Sequence, residues 1–146
     1  MKQVQSRVVT PKPIDEVYAY LADFTNQPEW RFDVVSCSLA SGEGGAPGVK
    51  YHQRVKPRGK EIDSEVELTR ADKPDEVAFR TLDPGPVSVS GAWHLKSTGT
   101  GTGTEVICDV TIETHGFLRL LEFTMGPSLR KISDRYERDL SARLNP

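Results

Sequence analysis

The feature that most constrains the fold of this chain is a long segment, residues 34–112, in which apolar and polar residues alternate with a period of two. Such alternation is typical of strands with one face in a core and the other in water. Clusters rich in Gly, Pro, Asp and Thr interrupt the alternation and predict turns. The predicted strands are residues 34–40, 49–56, 61–71, 77–82, 87–96 and 104–114. Because the connections are too short for crossover helices, neighbouring strands are expected to pair antiparallel as a meander.

Upstream of this segment, the chain predicts one further strand and two short helices. Residues 2–9 alternate weakly and predict a strand, which is expected to stop at Pro11 and Pro13. Pro13 suits the first position of a helix, and the apolar residues after it have helical spacing. A second helix is expected to begin near Asn26 and to end around Trp30. There Asn26 would act as the cap and Glu29 would reach back to it in a capping box.

The last segment, residues 117–144, returns to helical spacing. Its apolar stripe consists of Leu129, Ile132, Tyr136 and Leu140. Gly126 and Pro127 interrupt the pattern, and Pro both lacks an amide hydrogen and clashes with the preceding turn. We therefore expect a kink at this point, or a short first helix over 117–125 followed by the long one.

Composition and charge exclude several classes of function. A chain of 146 residues is expected to form one domain over 1–146, because two cores would each be near the lower size limit for folding. A net charge of -2 offers no basic surface for nucleic acid. The sequence contains no membrane-spanning run and no signal-peptide core, so a cytoplasmic location is expected. The histidines and cysteines lack metal-ligand spacing, so neither a metal nor a cofactor is expected.

Three motifs carry a resemblance to a known family. They are PIDEVYAYLADFTNQPEW at 13–30, GAPGVKY at 45–51 and GTEV at 103–106. In order and spacing they resemble the opening signature and two strand entries of the polyketide cyclase/dehydrase-like branch of the START/Bet v 1-like (SRPBCC) superfamily. The resemblance implies an α+β helix-grip fold, in which a seven-stranded antiparallel sheet wraps around a long C-terminal helix and two short helices lie between strands 1 and 2. It does not imply one activity, because this fold hosts many functions.

The width of such a sheet favours a hollow in front of its single long helix. Seven strands at about 4.8 Å spacing span about 30 Å, whereas a helix with its side chains is about 10 to 12 Å thick. The apolar parity of the strands should face the hollow, and it carries no Asp, Glu, Lys, Arg or His. The charged parity should form a solvated outer face with cross-strand pairs. A register shifted by one residue would instead bury His52, Glu65, Arg80 and His94 at a high cost in desolvation.

The candidate ligand-binding residues lie mostly on the inward parity, with a few from the helices. They are Trp30, Tyr51, Gln53, Ser64, Val66, Phe79, Thr81, Trp93, Cys108, Val110, Met125 and Leu129. Trp30 is expected either to close one end of the barrel or to face the ligand as a lid. No catalytic residue is assigned, because a phenol with a pKa near 10 is a weak base and no base is predicted beside Cys108.

Three functions remain open at this point. The first is binding of a small hydrophobic ligand, such as a lipid, an isoprenoid or an aromatic polyketide-like molecule, in the cavity between the sheet and the C-terminal helix. The second, implied by the resemblance, is a polyketide cyclase/dehydratase-type enzyme that works by substrate placement, with Tyr51 or Gln53 polarising a carbonyl. The third is a homodimer, or a complex with another protein, formed through the apolar stretch from Phe117 to Met125.

Overall fold

The computed structural model describes residues 2–56, 61–82, 87–99, 103–114 and 122–145. Its strands are β1 (Lys2–Thr10), β2 (Val34–Ser41), β3 (Lys50–Val55), β4 (Ile62–Asp72), β5 (Glu76–Leu82), β6 (Val87–Ser97) and β7 (Thr104–Thr114). Between β1 and β2 lie helix α1 (Ile14–Ala22) and a 3₁₀ helix (Phe24–Glu29). Helix α2 (Glu122–Leu144) follows β7. Of residues 122–129 only the backbone is described.

The seven strands form one antiparallel sheet in the order β1-β7-β6-β5-β4-β3-β2. The strands β2 to β7 are neighbours in chain order, as expected for a meander with short turns. The first strand joins the far edge by pairing with β7. This topology, with two short helices after the first strand and a long helix at the end, confirms the predicted helix-grip fold.

The register also confirms which parity of the strands faces inward. The buried inward residues are Val49, Tyr51, Gln53, Val66, Leu68, Val77, Phe79, Trp93, Leu95 and Val106. The outer face carries cross-strand ion pairs, such as Arg80 with Glu67 at 3.0 Å and Arg54 with Asp63 at 3.3 Å. The alternative register, shifted by one residue, would have buried four charged or titratable side chains. It is wrong, because in the structure these side chains are exposed or half-buried, namely His52, Glu65, Arg80 and His94.

The second short helix differs from its predicted form. It is a 3₁₀ helix that begins at Phe24, and its N-cap is Asp23, whose carboxylate accepts from the backbone N–H two residues later at 3.1 Å. Asn26 donates instead to the backbone carbonyl of Tyr20 at 3.0 Å. Glu29 accepts from the Tyr20 hydroxyl at 2.9 Å. The predicted capping box is therefore wrong, because Asp23 offers an acceptor three residues before Asn26.

Helix α2 is continuous through Gly126 and Pro127, so the alternative of a separate helix ending at residue 125 is wrong. Residues 117–121 of the predicted C-terminal segment, and with them most of the apolar stretch from Phe117 to Met125, lie outside the described residues. In the described part of the chain, α2 packs mainly along the edge strand β1. The Ser133 hydroxyl lies 3.1 Å from that of Ser6.

The face of α2 that contacts the sheet is rotated from the predicted apolar stripe. Leu140 is buried as expected, but Ile132 is 38% exposed and its neighbour Ser133 is only 6% exposed. About one turn further along the same face, Tyr136 lies edge-on to Trp30 with 6.3 Å between ring centroids. The helix thus bridges from β1 to the end of the 3₁₀ helix, and these two contacts set its rotation.

Gly91 on β6 allows a close approach between the sheet and an aromatic ring. A Cβ atom at this position would lie 2.8 Å from the backbone oxygen of Asp109 and 2.9 Å from the ring of Phe79. Gly91 therefore leaves the space that the Phe79 ring occupies.

We expect the substitution Gly91→Ala to lower the free energy of unfolding by about 1–3 kcal/mol, because the added methyl group overpacks the Phe79 ring and meets backbone. Urea unfolding of both proteins measures this difference. Gly99→Ala is the matched control, since a Cβ there meets nothing within 4 Å. A change in Gly91→Ala no larger than in the control would contradict the close packing.

Candidate functional site

A cluster of aromatic side chains fills one half of the concave face of the sheet. Phe24, from the 3₁₀ helix, stacks on Tyr51 with 5.3 Å between ring centroids and lies edge-on to Trp93 at 5.5 Å. Phe79 stacks on Trp93 at 5.2 Å, and Trp30 lies edge-on to Trp93 at 6.1 Å. We call these five residues the aromatic cluster. Each of them is at most 7% exposed, so this half of the interior is packed by the protein's own side chains.

The same inward parity becomes half-buried toward the other end of the sheet. The residues there are Val55, Ser64, Thr81, Val89, Val110 and Ile112, and we call this surface the open half. The open half is continuous, because Val89 pairs with Ile112 across β6 and β7 and the backbone N–H of Val89 donates to the Thr81 hydroxyl at 3.1 Å. Burial thus falls along the strands from a solid end to one that is incompletely covered.

A polar cluster lies beside the aromatic cluster. Gln27 is 2% exposed, and its Oε1 accepts from Gln53 Nε2 at 2.6 Å and from Arg31 Nη1 at 3.0 Å. Arg31 Nη2 also lies 3.3 Å from Asp33 Oδ2. The Arg31 guanidinium is 5.3 Å from the centre of the Tyr136 ring on α2. The polar cluster, defined as Gln27, Arg31, Asp33 and Gln53, brings an ion pair into an interior whose strands supply no charged side chain.

The thiol and phenol groups of the interior are poor bases. Burial raises the pKa of Cys108 to about 12, and the charge of Arg31 offsets only part of this effect. Burial likewise raises the pKa of Tyr136 to about 12. The pKa of Tyr51 is also raised, first by burial. These three groups stay protonated near neutral pH, so none of them is a ready nucleophile or general base.

The structure divides the predicted ligand-binding residues into four groups. Trp30, Tyr51, Phe79 and Trp93 belong to the aromatic cluster, with Val66 buried in the same core. Gln53 belongs to the polar cluster. Ser64, Thr81 and Val110 lie in the open half, and Cys108 is half-buried in register with Trp93. The side chains of Met125 and Leu129 lie outside the described residues.

Three residues of the interior were missed by the sequence reasoning, namely Gln27, Arg31 and Asp33. Gln27 lies in the 3₁₀ helix, and the other two lie in the connection that follows it. The alternation that identifies inward residues applies to strands alone, so it carries no signal for a loop. The one available hint was that Gln27 lies within the opening signature and that Arg31 directly follows it.

A surface groove of about 350 Å³ lies outside this interior, between the end of the 3₁₀ helix and the C-terminal half of α2. The salt bridge between Arg143 and Glu29, at 2.7 Å, forms part of its wall. Trp30 and Arg31 also line the groove, so they lie between it and the interior. Four of its eight lining residues are charged, namely Glu29, Arg31, Asp139 and Arg143, so the groove suits an apolar ligand less well than the open half does.

The described ranges contain neither a cluster of metal-ligand side chains nor a helix suited to cross a membrane. No three His, Cys, Asp or Glu side chains converge there as metal ligands would. In the same ranges, no helix has the length and apolar character needed to cross a bilayer. Both cysteines, Cys37 and Cys108, are free thiols.

Comparison with solved structures places this fold in the START and Bet v 1-like class. A START superfamily protein from Mycobacterium smegmatis superposes with a TM-score of 0.77 and 13% identity, covering 97% of this chain and 96% of its own. Major latex-like protein 151 from Panax ginseng gives 0.69 and 16%, with 99% and 98% covered. BexL, a di-domain ARO/CYC from the BE-7585A biosynthetic pathway, gives 0.71 and 15%, with all of this chain but only 48% of BexL covered.

At the level of sequence, residues 1–143 match the family described as polyketide cyclase / dehydrase and lipid transport. The chain belongs to this family, as the three motifs indicated. No curated protein matches the sequence. The family and fold are thereby established, and the function of this chain has to be inferred from its own residues.

We expect Gln53→Leu to lower the free energy of unfolding by about 1–3 kcal/mol, because it removes the 2.6 Å hydrogen bond to buried Gln27. Gln5→Leu is the matched control, since it removes a hydrogen bond to Asp109 at an exposed site. Urea unfolding should show a change of less than about 0.5 kcal/mol in the control. Equal changes in the two variants would contradict a structural role for the Gln27–Gln53 bond.

A pKa of about 12 also predicts the reactivity of Cys108. In a Cys37→Ser variant at pH 8, native protein should react with iodoacetamide about a thousandfold more slowly than the urea-unfolded chain. The native protein should react more slowly because folding raises the pKa of Cys108 and so favours the thiol over the reactive thiolate. Alkylation at the rate of the unfolded chain would show that Cys108 is not held protonated in the interior.

Proposed function

We propose that this protein binds a small, largely apolar molecule against the open half of the concave face, beneath α2. The observation that carries the proposal is the change in burial along the inward parity. Leu68 and Val106 are at most 1% exposed, whereas Val89, Val110 and Ile112 remain half-buried in the folded chain. A protein does not ordinarily leave neighbouring apolar side chains of its concave face half-buried unless another molecule completes their burial.

The two clusters would give such a site a rigid end wall. The five aromatic side chains are locked by ring contacts, and the polar cluster is tied to them through Gln27 and Gln53. A preformed wall lowers the conformational entropy lost on binding. The family description, which pairs polyketide cyclisation and dehydration with lipid transport, supports a largely apolar ligand such as a lipid, an isoprenoid or an aromatic polyketide-like molecule.

Binding is favoured over proton-transfer catalysis by the protonation states of the interior. Cys108, Tyr136 and Tyr51 all have raised pKa values, and the Tyr51 hydroxyl accepts from the backbone N–H of Gly45 at 3.4 Å. Gly45 lies in the connection between β2 and β3, so the Tyr51 hydroxyl points out of the open half. An enzyme of the cyclase/dehydratase type would therefore have to act here by placing its substrate rather than by acid–base chemistry.

The fluorescent probe N-phenyl-1-naphthylamine tests the proposal, because it brightens when it leaves water. We expect it to bind the wild-type protein and to bind Val110→Trp at least about tenfold more weakly, since the indole would occupy the open half. Val35→Trp is the matched control, because Val35 is 48% exposed on the edge strand β2. Both variants need the far-ultraviolet circular dichroism of the wild type.

Two results would contradict the proposal. The first is the absence of any fluorescence increase with the wild-type protein. The second is equal affinity in Val110→Trp and Val35→Trp, which would place the probe elsewhere on the surface.

A further inference from the structure

Four buried polar atoms at the inner end of this site have no hydrogen-bond partner within the described chain. Three are N–H donors, namely Gln27 Nε2, Arg31 Nε and Trp93 Nε1, and one is an acceptor, Asp33 Oδ1. Gln27 and Trp93 are only 2% and 3% exposed. Folded proteins rarely leave such groups unpaired, because a buried donor without a partner has lost its hydrogen bonds to water and has formed none in their place.

These atoms belong to one neighbourhood. Gln27 and Arg31 are joined by the hydrogen bond at 3.0 Å, and Arg31 is paired with Asp33. Trp93 pairs with Cys108 in the sheet register, and it lies edge-on to Trp30, the residue before Arg31, with 6.1 Å between ring centroids. The next inward residue of β7 after Cys108 is Val110, which lies in the open half. The unpaired donors are therefore grouped where the aromatic cluster meets the open half.

We propose that Gln27, Arg31 and Trp93 form the polar end of the ligand site and donate hydrogen bonds to an acceptor oxygen of an otherwise apolar ligand, such as a carbonyl oxygen. This inference rests on the proposed function, since it adds a head-group contact to the same site. The body of the ligand lies against Val89 and Val110, and its oxygen reaches the donors.

The ratio of donors to acceptors decides the chemistry of the head group. Three unpaired N–H groups face one unpaired oxygen, so a ligand oxygen satisfies more of them than an amine would. A cation is also disfavoured by the guanidinium of Arg31. Because Asp33 already balances that charge, the site does not require an anion, and a neutral carbonyl oxygen meets the need. Nitrogen–hydrogen donors do not ligate metals, which removes a metal ion as the occupant.

Two naphthalenes of nearly the same shape test the head-group contact. 2-Acetylnaphthalene carries a carbonyl oxygen, and 2-ethylnaphthalene carries a methylene group in its place. Each is titrated against bound N-phenyl-1-naphthylamine, and the ratio of the two dissociation constants is compared between proteins. The two compounds differ in water solubility, but this difference is the same for every protein. It therefore cancels when the ratios of two proteins are compared.

In Arg31→Lys, which keeps the charge beside Asp33 but removes Nε, the preference for the ketone should fall by about tenfold. Trp93→Phe should lower it similarly, and it serves as the second variant if Arg31→Lys does not fold. Arg143→Lys is the matched control, because this arginine is paired with Glu29 in the surface groove outside the interior. The ratio in the control should stay within about twofold of the wild type.

The outcomes separate this inference from the proposed function. If the probe does not bind at all, the proposed function and the inference both fail. If the probe binds and both compounds displace it, but the ratio is the same in Arg31→Lys, Trp93→Phe and wild type, the head-group contact alone is overturned. A ratio that changes in Arg143→Lys would also overturn it, since the ligand would then lie in the surface groove.

Discussion

The sheet of this protein is wider than the single helix that covers it, and the rest of the structure follows from how that excess is filled. Seven strands span about 30 Å, and one helix covers roughly a third of that width. The chain fills one half of the concave face with aromatic rings from three strands and from the 3₁₀ helix and its C-terminal end, with Phe24 at their centre. Gly91 makes the close approach of the Phe79 ring possible. The other half of the same face is left half-buried, and this is the surface that we assign to a ligand.

The half-buried ion pair of Arg31 and Asp33 is the second feature that defines the interior. Burial alone would lower the pKa of Arg31, but the neighbouring Asp33 and Tyr136 raise it, so the guanidinium remains charged. Moving two charges from water into an interior is costly, and replacing such a pair with apolar residues is often neutral or stabilising. We therefore assign this pair, together with the unpaired donors of Gln27 and Trp93, to the proposed ligand site and not to the stability of the fold.

Most of the fold could be predicted from the sequence, but only part of the candidate site could. Alternation with a period of two, with short turns between runs, is enough to specify an antiparallel meander and the face that is inward, so the places of Val66 and Trp93 were predictable. Alternation does not say how far along the strands a neighbouring helix reaches. It therefore could not separate Phe79, which is packed by Phe24, from Val110, which is not.

The site residues that were not predicted lie in irregular segments, where no periodicity of the sequence indicates which way a side chain points. Arg31 and Asp33 follow a 3₁₀ helix in a connection without regular spacing, and only the packing of that helix turns them inward. The rotation of α2 was misjudged for a related reason. The helix is fixed by polar contacts to β1, such as that of Ser133 with Ser6, and not solely by its apolar stripe.

Nuclear Overhauser effects between N-phenyl-1-naphthylamine and the methyl groups of the protein test the central claim most directly. The account predicts contacts from the probe to Val89, Val110 and Ile112, and none to Leu68 or Val106, which the core already covers on all sides. Contacts confined to valines of the outer surface would contradict it, as would contacts to the packed half of the face, because either result would mean that the open half does not receive the ligand.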